Sequence, residues 1–291
     1  MLDFPKGGSS AIVDALERAV VKNGGIVKRR TKVDSIVVNS DDVCTGVKTS
    51  NGDIITAKEA VVSNLDLWTT FKLIPTTNNQ KFEDERKFLL ENTPKCNSFM
   101  HIHLGIDAKD LPKDIPPQWT VVNDWNKGID SEFNVIVVSM PSLLDPSLAP
   151  KDRHVIHAYY AGSEPYEIWE KYKSSTKSEE YLAFKEKRAE GLWKAIERVI
   201  PDVKNRIKIE MIGTPLTHER FTRRFQGTYG AAFIAGKGLP GQTTPIKNLF
   251  RCGDSTNPGI GVPSTAASGA MAAAAIMSTK QHLELLKRVK L

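Results

Sequence analysis

The sequence predicts an α/β chain, α+β overall, organised in three stretches. A helix-spaced apolar run near the start is followed by several short β-branched segments. From Leu65 to about Glu210 the pattern changes to longer alternating strands and one long amphipathic helix. Beyond that point glycine-rich loops return and lead to a buried strand, Gly253-Asp254 and a helix of small residues.

The first helix follows Ser9 and Ser10, either of which can cap it, and carries Ile12, Val13, Leu16, Ala19 and Val20 at helical spacing. Asn23-Gly24-Gly25 supplies residues that tolerate positive φ and ends it. Strands are expected at Ile26–Lys28, Val33–Val38, Val43–Thr49, Ile54–Ala57 and Ala60–Val62. Asn51-Gly52 predicts a type I′ hairpin turn between the third and fourth of these. The Lys28-Arg29-Arg30-Lys32 run reads as a solvated strand edge rather than a polyanion site.

In the middle stretch, Asn97–Ile106 is expected as a strand with Phe99, His101 and His103 on one face and Met100, Ile102 and Leu104 on the other. Val135–Met140 and His154–Tyr160 are further strands, joined by a connection marked by Pro141, Pro146 and Pro150. Ser178–Ile200 predicts one helix with Leu182, Ala189, Leu192, Trp193, Ile196 and Val199 inward, stopped by Pro201. Gly259–Met277 carries no charge, but its Gly, Ala, Ser and Pro content makes it too weakly apolar for a membrane span. It reads as a loop followed by a buried helix.

Composition narrows the function classes. The 291 residues are 40% hydrophobic and 25% charged, as in a globular protein with a sizeable core. A net charge of +6, spread along the chain, does not point to nucleic acid. Cys44, Cys96 and Cys252 are too few and too scattered for a disulfide framework or a structural zinc site, so a reducing compartment is expected. The N-terminal residues show no leader, so the chain is expected either to be cytosolic as written or to start inside a longer product.

Two constellations could carry chemistry. The strand, the Gly253-Asp254 turn and the helix opening near Pro263 would offer the exposed N–H groups of Gly261, Val262 and Ser264 to an electron-rich oxygen. Asp254 would accept hydrogen bonds from sugar-like hydroxyls; the alternative is a packed helix with an ordinary capping Asp. Ser264, Ser268, Ala272 and Ile276 share one small face of that helix. His101-x-His103 has metal-competent spacing, but no third ligand is identifiable, and His154 and His157 have the wrong parity for one strand face. All four are therefore expected in a core or pocket wall, and no metal ligand is assigned. No G-x-S-x-G occurs, which disfavours a serine hydrolase.

The run Arg251-Cys252-Gly253-Asp254-Ser255-Thr256-Asn257-Pro258-Gly259-Ile260-Gly261-Val262-Pro263, continuing through Ala266-Ala267-Ser268-Gly269, resembles the C-terminal flavin signature of the phytoene desaturase and carotenoid isomerase family. The segment with Gly213-Thr214-Pro215-Leu216-Thr217-His218, Arg220-Phe221 and Gly227-Thr228-Tyr229-Gly230 is similar to the one preceding that signature in plant members. Pro5-Lys6-Gly7-Gly8-Ser9 with Val61-Val62-Ser63-Asn64 resembles the central flavin-domain module. The likeness covers nearly the whole chain and is greatest to plant carotenoid isomerase-like flavoproteins. The strand and G-x-G-x-x-G turn with which family members begin are not matched at the start of this sequence, where Gly7-Gly8 opens a helix, so the chain resembles a C-terminal part of such an enzyme.

The resemblance implies a partial FAD-binding Rossmann-like domain of the glutathione-reductase/amine-oxidase type, made of residues 1–64 and 211–291. Residues 65–210 would be inserted as a substrate domain with a mixed or antiparallel sheet. It assigns Asp254, beside Gly253, to the ribityl chain of FAD, the Gly261-Val262-Pro263 backbone to the flavin end, and the Val33 backbone to the adenine. No catalytic residue is assigned, because the flavin carries the electrons. The implied activity is cis-to-trans isomerisation of a carotenoid polyene of the prolycopene type. A carotenoid desaturase or retinoid saturase is the alternative, and a non-catalytic polyene- or partner-binding remnant is the reading of a different class. A polyamine or amino acid oxidase shares the fold, but the C-terminal loop is of the carotenoid type. The implied partners are a lipophilic polyene and a membrane surface touched peripherally, and the implied location is the plastid.

Overall fold

The structure, a computed structural model, describes residues 4–289. Its elements begin with α1 (Ser10–Lys22), β1 (Val33–Val38), β2 (Cys44–Thr49), β3 (Ile54–Thr56), β4 (Val61–Ser63), α2 (Leu67–Leu73) and α3 (Gln80–Asn92). The middle of the chain forms β5 (His101–Asp107), β6 (Gln118–Val122), β7 (Val135–Ser139), β8 (Arg153–Tyr160), α4 (Glu167–Glu170), α5 (Glu179–Glu197), α6 (Val203–Arg206) and β9 (Ile207–Gly213). The last elements are α7 (Pro215–Thr222), β10 (Leu249–Arg251), α8 (Val262–Ile276) and α9 (Thr279–Val289).

These elements gather into two compact units. One holds residues up to Arg29 together with Asn97–Gly227, and the other holds Arg30–Cys96 with the chain from Thr228 onward. The divisions expected at 64/65 and 210/211 therefore fall inside units. Residues 65–96 go with the small strands because Leu67, Phe71, Ile74, Phe82 and Leu89 of α2, α3 and their connection share a core with Ile36, Cys44, Ile246 and Leu249. Residues 207–213 go with the middle stretch because β9 is hydrogen-bonded along the edge of β5.

The first unit is built on a five-stranded sheet in the order β6-β7-β8-β5-β9, with every pairing antiparallel. Its burial alternates along the strands as the period-2 pattern requires. Met100, Ile102, Leu104, Ile106, Ile136, Val138, Ile156 and Ala158 are buried in one continuous core with Ala189, Leu192, Trp193 and Ile196 of α5. Ser178 caps α5, accepting a hydrogen bond from the Tyr181 amide at 3.2 Å. The inward face is turned slightly from the expected one, for Tyr181 is buried while Leu182 is 43% exposed.

In the second unit β1, β2 and β3 form an antiparallel sheet, and β4 pairs in parallel with β10. Ile26–Lys28 is not a strand: the segment runs free of any ladder after the Gly24-Gly25 turn, and Ile26 is 81% exposed. The β2–β3 turn has positive φ at Gly52 (+90°) but not at Asn51, so it is not the expected type I′ turn. Ser9 stands at the N-cap of α1 without a side-chain capping bond. α8 is 15 residues long, and among the described residues no helix is long and apolar enough to cross a membrane.

A buried ion pair fastens α5 to the sheet unit. Arg188 donates from Nε to Glu164 Oε1 at 2.6 Å and from Nη2 to Glu164 Oε2 at 2.9 Å, while Trp169 Nε1 donates to the same carboxylate at 2.7 Å. Glu164 is 1% exposed, and its backbone exchanges two hydrogen bonds with Ser98 just before β5. Such a pair contributes little against an apolar replacement, yet removing one partner strands a buried charge. Arg188→Leu is expected to destabilise the protein by ~3–5 kcal/mol. The Glu164→Gln/Arg188→Met double variant should lose clearly less, with both read as unfolding midpoints in urea.

Candidate functional site

The residues assigned from the flavin signature lie in the second unit. Gly253 lies one residue beyond the end of β10 and has φ +107°. A Cβ there would stand 2.8 Å from Asn64 Nδ2, so the turn can pass beside the end of β4 only as glycine. Asp254 comes next and is half-buried, with its Oδ1 accepting from Ser255 Oγ at 3.3 Å. Ser268 of α8, fully buried, ties this turn to the helix. Its Oγ accepts from the Gly253 amide at 3.1 Å and lies 2.6 Å from Thr256 Oγ1 and 3.3 Å from Gln242 Nε2. The small face expected on α8 is thus partly realised, with Ser268 and Ala272 buried and Ser264 and Ile276 intermediate.

Gly261 is the N-cap of α8, with φ +109° and open space where a Cβ would be. Val262 and Pro263 open the helix and are exposed. With no side chain at Gly261 to cap them, the first-turn amides face outward at the positive end of the helix dipole. Amides, an adjacent carboxylate and a glycine-only approach form a donor and acceptor set that fits the hydroxylated, electron-rich portion of a flavin nucleotide. Val33 stands apart, as the first residue of β1, opposite Thr49 and half-buried in the three-stranded sheet.

The first unit presents a second constellation, on the sheet face opposite α5. His101 and His103 project from β5 on this side, and antiparallel register sets His157 of β8 directly across from His103, with Tyr159 across from His101. His101 and His157 share a hydrogen bond of 2.6 Å between Nδ1 and Nε2. The His103 and His157 rings are stacked at 4.3 Å with 3° between their planes. α7, opened by Pro215 and a Thr214–Thr217 capping box, brings His218 to 4.7 Å from the His101 ring, and Phe99 packs on His101 at 5.2 Å. β9 adds Ile209 and Met211, each 60% exposed, beside Gly105 and His103. The strands of this face carry no charged side chain until the Asp107–Arg153 pair at their ends, although the Arg224 charge acts on His218 of α7.

The sequence pattern located half of this face. The expected side for Phe99, His101 and His103 is correct, but His157 joins them, whereas His154 hydrogen-bonds Ser142 at 2.9 Å. His157 and His218 were invisible in the sequence because a cross-strand register and the docking of a helix placed them.

A model of the family described as flavin containing amine oxidoreductase matches residues 2–277. The chain belongs to this family. It is 33% identical over 278 residues to the chloroplastic prolycopene isomerase of Arabidopsis thaliana, covering 94% of this chain and 45% of that protein. It is 27% identical over 289 residues to the neurosporene-forming phytoene desaturase of Rhodobacter capsulatus, covering 92% and 52%. Among solved structures, an oxidoreductase from Methanosarcina mazei is similar with a TM-score of 0.55 at 18% identity, covering 91% of this chain and 53% of that one. The chain spans about half the length of the curated relatives it matches. Its mixed helix-and-sheet architecture is that of the amine-oxidase type of flavoprotein fold, and family membership implies a flavin cofactor.

The histidines of the sheet face are held neutral. Burial first, then the neighbouring imidazoles, push His101 down to about 2, and burial with His103 and His218 pushes His157 down to about 4. Burial also lowers His103, and burial with the Arg224 charge lowers His218. An unfolded histidine titrates near ~6.5, so between that pH and ~4 the unfolded chain binds more protons and stability is lost as pH falls. The unfolding free energy is expected to drop by about 1–3 kcal/mol between pH 7.5 and pH 5, before most carboxylates titrate. His157→Gln should flatten that slope in thermal melts. A profile level over this range would contradict the burial of these rings.

Proposed function

We propose that this chain is part of an FAD-dependent enzyme acting on carotenoid polyenes, with cis-to-trans isomerisation of the prolycopene type as its reaction. The observation that carries the reading is the uncharged, ring-lined sheet face of the first unit. A long conjugated hydrocarbon offers no group for a hydrogen bond, so its recognition rests on apolar area and stacking. Phe99, Tyr159 and the neutral imidazoles of His101, His103, His157 and His218 supply stacking surface, and Ile209 and Met211 supply exposed apolar area. Neutral rings are needed here, since a charged imidazolium would lose its hydration beneath a hydrocarbon.

In the same reading the second unit holds part of the FAD. Asp254 accepts hydrogen bonds from the ribityl hydroxyls, the turn at Gly253 allows close approach, and the Gly261, Val262 and Pro263 backbone faces the flavin end. The Val33 backbone faces the adenine. When bound and in its reduced form, the flavin would lend electron density to the polyene and recover it, loosening one cis double bond with no net redox change. The protein's part is to hold the chain flat and exclude charge from it. A plastid location and peripheral contact with a membrane, from which a water-insoluble substrate is drawn, belong to the same proposal.

The 27% identity to a phytoene desaturase favours a second reading, in which the same sites serve net removal of hydrogen. Product mass separates the two, because isomerisation leaves it unchanged and desaturation lowers it by two hydrogens. Asp254→Ala in the flavin-loaded protein is expected to weaken flavin binding by roughly ten-fold to several hundred-fold, the loss of one to two charge-assisted hydrogen bonds. Its thermal midpoint with flavin stripped should be unchanged, and Asp254→Asn should lose less. Full flavin occupancy in the Ala variant would sink the assignment.

A further inference from the structure

We propose that His101, His103 and His157 form a binding site for a divalent transition-metal ion of the zinc class, on the open face of the five-stranded sheet. The proposal rests on geometry rather than on the polyene reading, and ion and polyene exclude each other on this face, since a bound cation would put charge beneath the hydrocarbon. Two of the imidazoles sit at i and i+2 on β5, the third lies directly across the ladder on β8, and one nitrogen from each can be chosen so that all three lie within 4.8 Å of one another. Around a tetrahedral ion with Zn–N distances of ~2.0–2.1 Å, ligand nitrogens stand roughly 3.3 Å apart. Rotation of the rings about χ2 covers the difference.

Three features beyond spacing point to an ion. The donor set is three nitrogens with no carboxylate among them, which is the open, three-histidine arrangement of zinc sites that keep one position for water. Imidazole also suits copper and nickel, so the class is that of borderline-soft divalent ions rather than magnesium or calcium. His101 Nε2 is buried with no hydrogen-bond partner, and His101 Nδ1 is hydrogen-bonded to His157 Nε2 at 2.6 Å, so a nitrogen of each ring already faces the other. An ion bound between the two rings would take His101 through Nδ1 and replace that contact. Finally, His103 is exposed while His101 and His157 are half-buried, so the cluster has a solvent side through which an ion enters. His218 stacks on His101 but is not among the three residues whose ligand atoms lie within reach of one another. The structure thus supplies the third ligand that the sequence did not reveal.

The test uses the purified 291-residue chain, stripped with chelator and titrated with Co²⁺ as a visible probe and with Zn²⁺ in competition. About one equivalent of Co²⁺ is expected to bind with the d–d absorption of a tetrahedral nitrogen site, displaced by Zn²⁺. His103→Gln and His157→Gln should each weaken binding by about ten-fold or more, while His282→Gln on α9 leaves it unchanged. Far-UV circular dichroism confirms that the variants are folded, and His103, being exposed, is the one least able to disturb the core. Binding below about a tenth of an equivalent would overturn the proposal, as would an absorption spectrum that survives in folded His103→Gln and His157→Gln proteins.

Discussion

Strand alternation on β5, pinned on both edges by antiparallel partners, is the constraint on which the ring-lined face depends. β8 fixes His101 opposite Tyr159 and His103 opposite His157, while β9 fixes His101 opposite Gly213. A slip of one residue would turn Met100, Ile102 and Leu104 to the open side and drive His101 and His103 into the core beneath α5. Both cannot be satisfied in any other register, because the buried side is packed by Leu192 and Ile196 and holds no partner for a row of imidazoles. The Glu164–Arg188 pair adds to this, since Glu164 is bonded through its backbone to Ser98 at the approach to β5 and through its carboxylate to α5. The apolar core therefore determines where the polar rings must go.

The second unit depends on a smaller device. Ser268 accepts from the Gly253 amide and contacts Thr256 and Gln242, so one buried hydroxyl joins the end of β10, the following loop and the middle of α8. With that hub in place the turn keeps its positive φ and the start of α8 points its uncapped amides outward. The chemistry assigned to Asp254 is a consequence of this local arrangement and does not draw on the sheet of the other unit.

How much was legible in the sequence follows from the range of the forces involved. β1, β2, β5, β7, β8 and α5 were readable because period-2 and period-3.6 patterns report burial directly, residue by residue. The Gly253-Asp254 turn and α8 were readable because glycine, proline and small residues mark backbone requirements locally. Ile26–Lys28 looked like a strand by composition, but β-branched residues make a strand only when a neighbour completes the ladder, and none does. The compact units divide elsewhere than at the expected boundaries for a related reason: α2 and α3 are amphipathic whichever sheet they cover, and only packing against Ile36 and Leu249 decides their side. His157 and His218 escaped because parity along one strand cannot show what a neighbouring strand or helix brings across.

The proposed seat of an extended hydrocarbon is the ring-lined face of the five-stranded sheet. The most direct measurement is photolabelling with a conjugated polyene that carries a photoreactive group, followed by peptide mapping of the adducts. Adducts are expected to concentrate at Phe99–His103, His157–Tyr159 and Ile209–Met211, and to be reduced by unlabelled polyene. Adducts confined to the outer surface of α5, with none on these three segments, would contradict that placement.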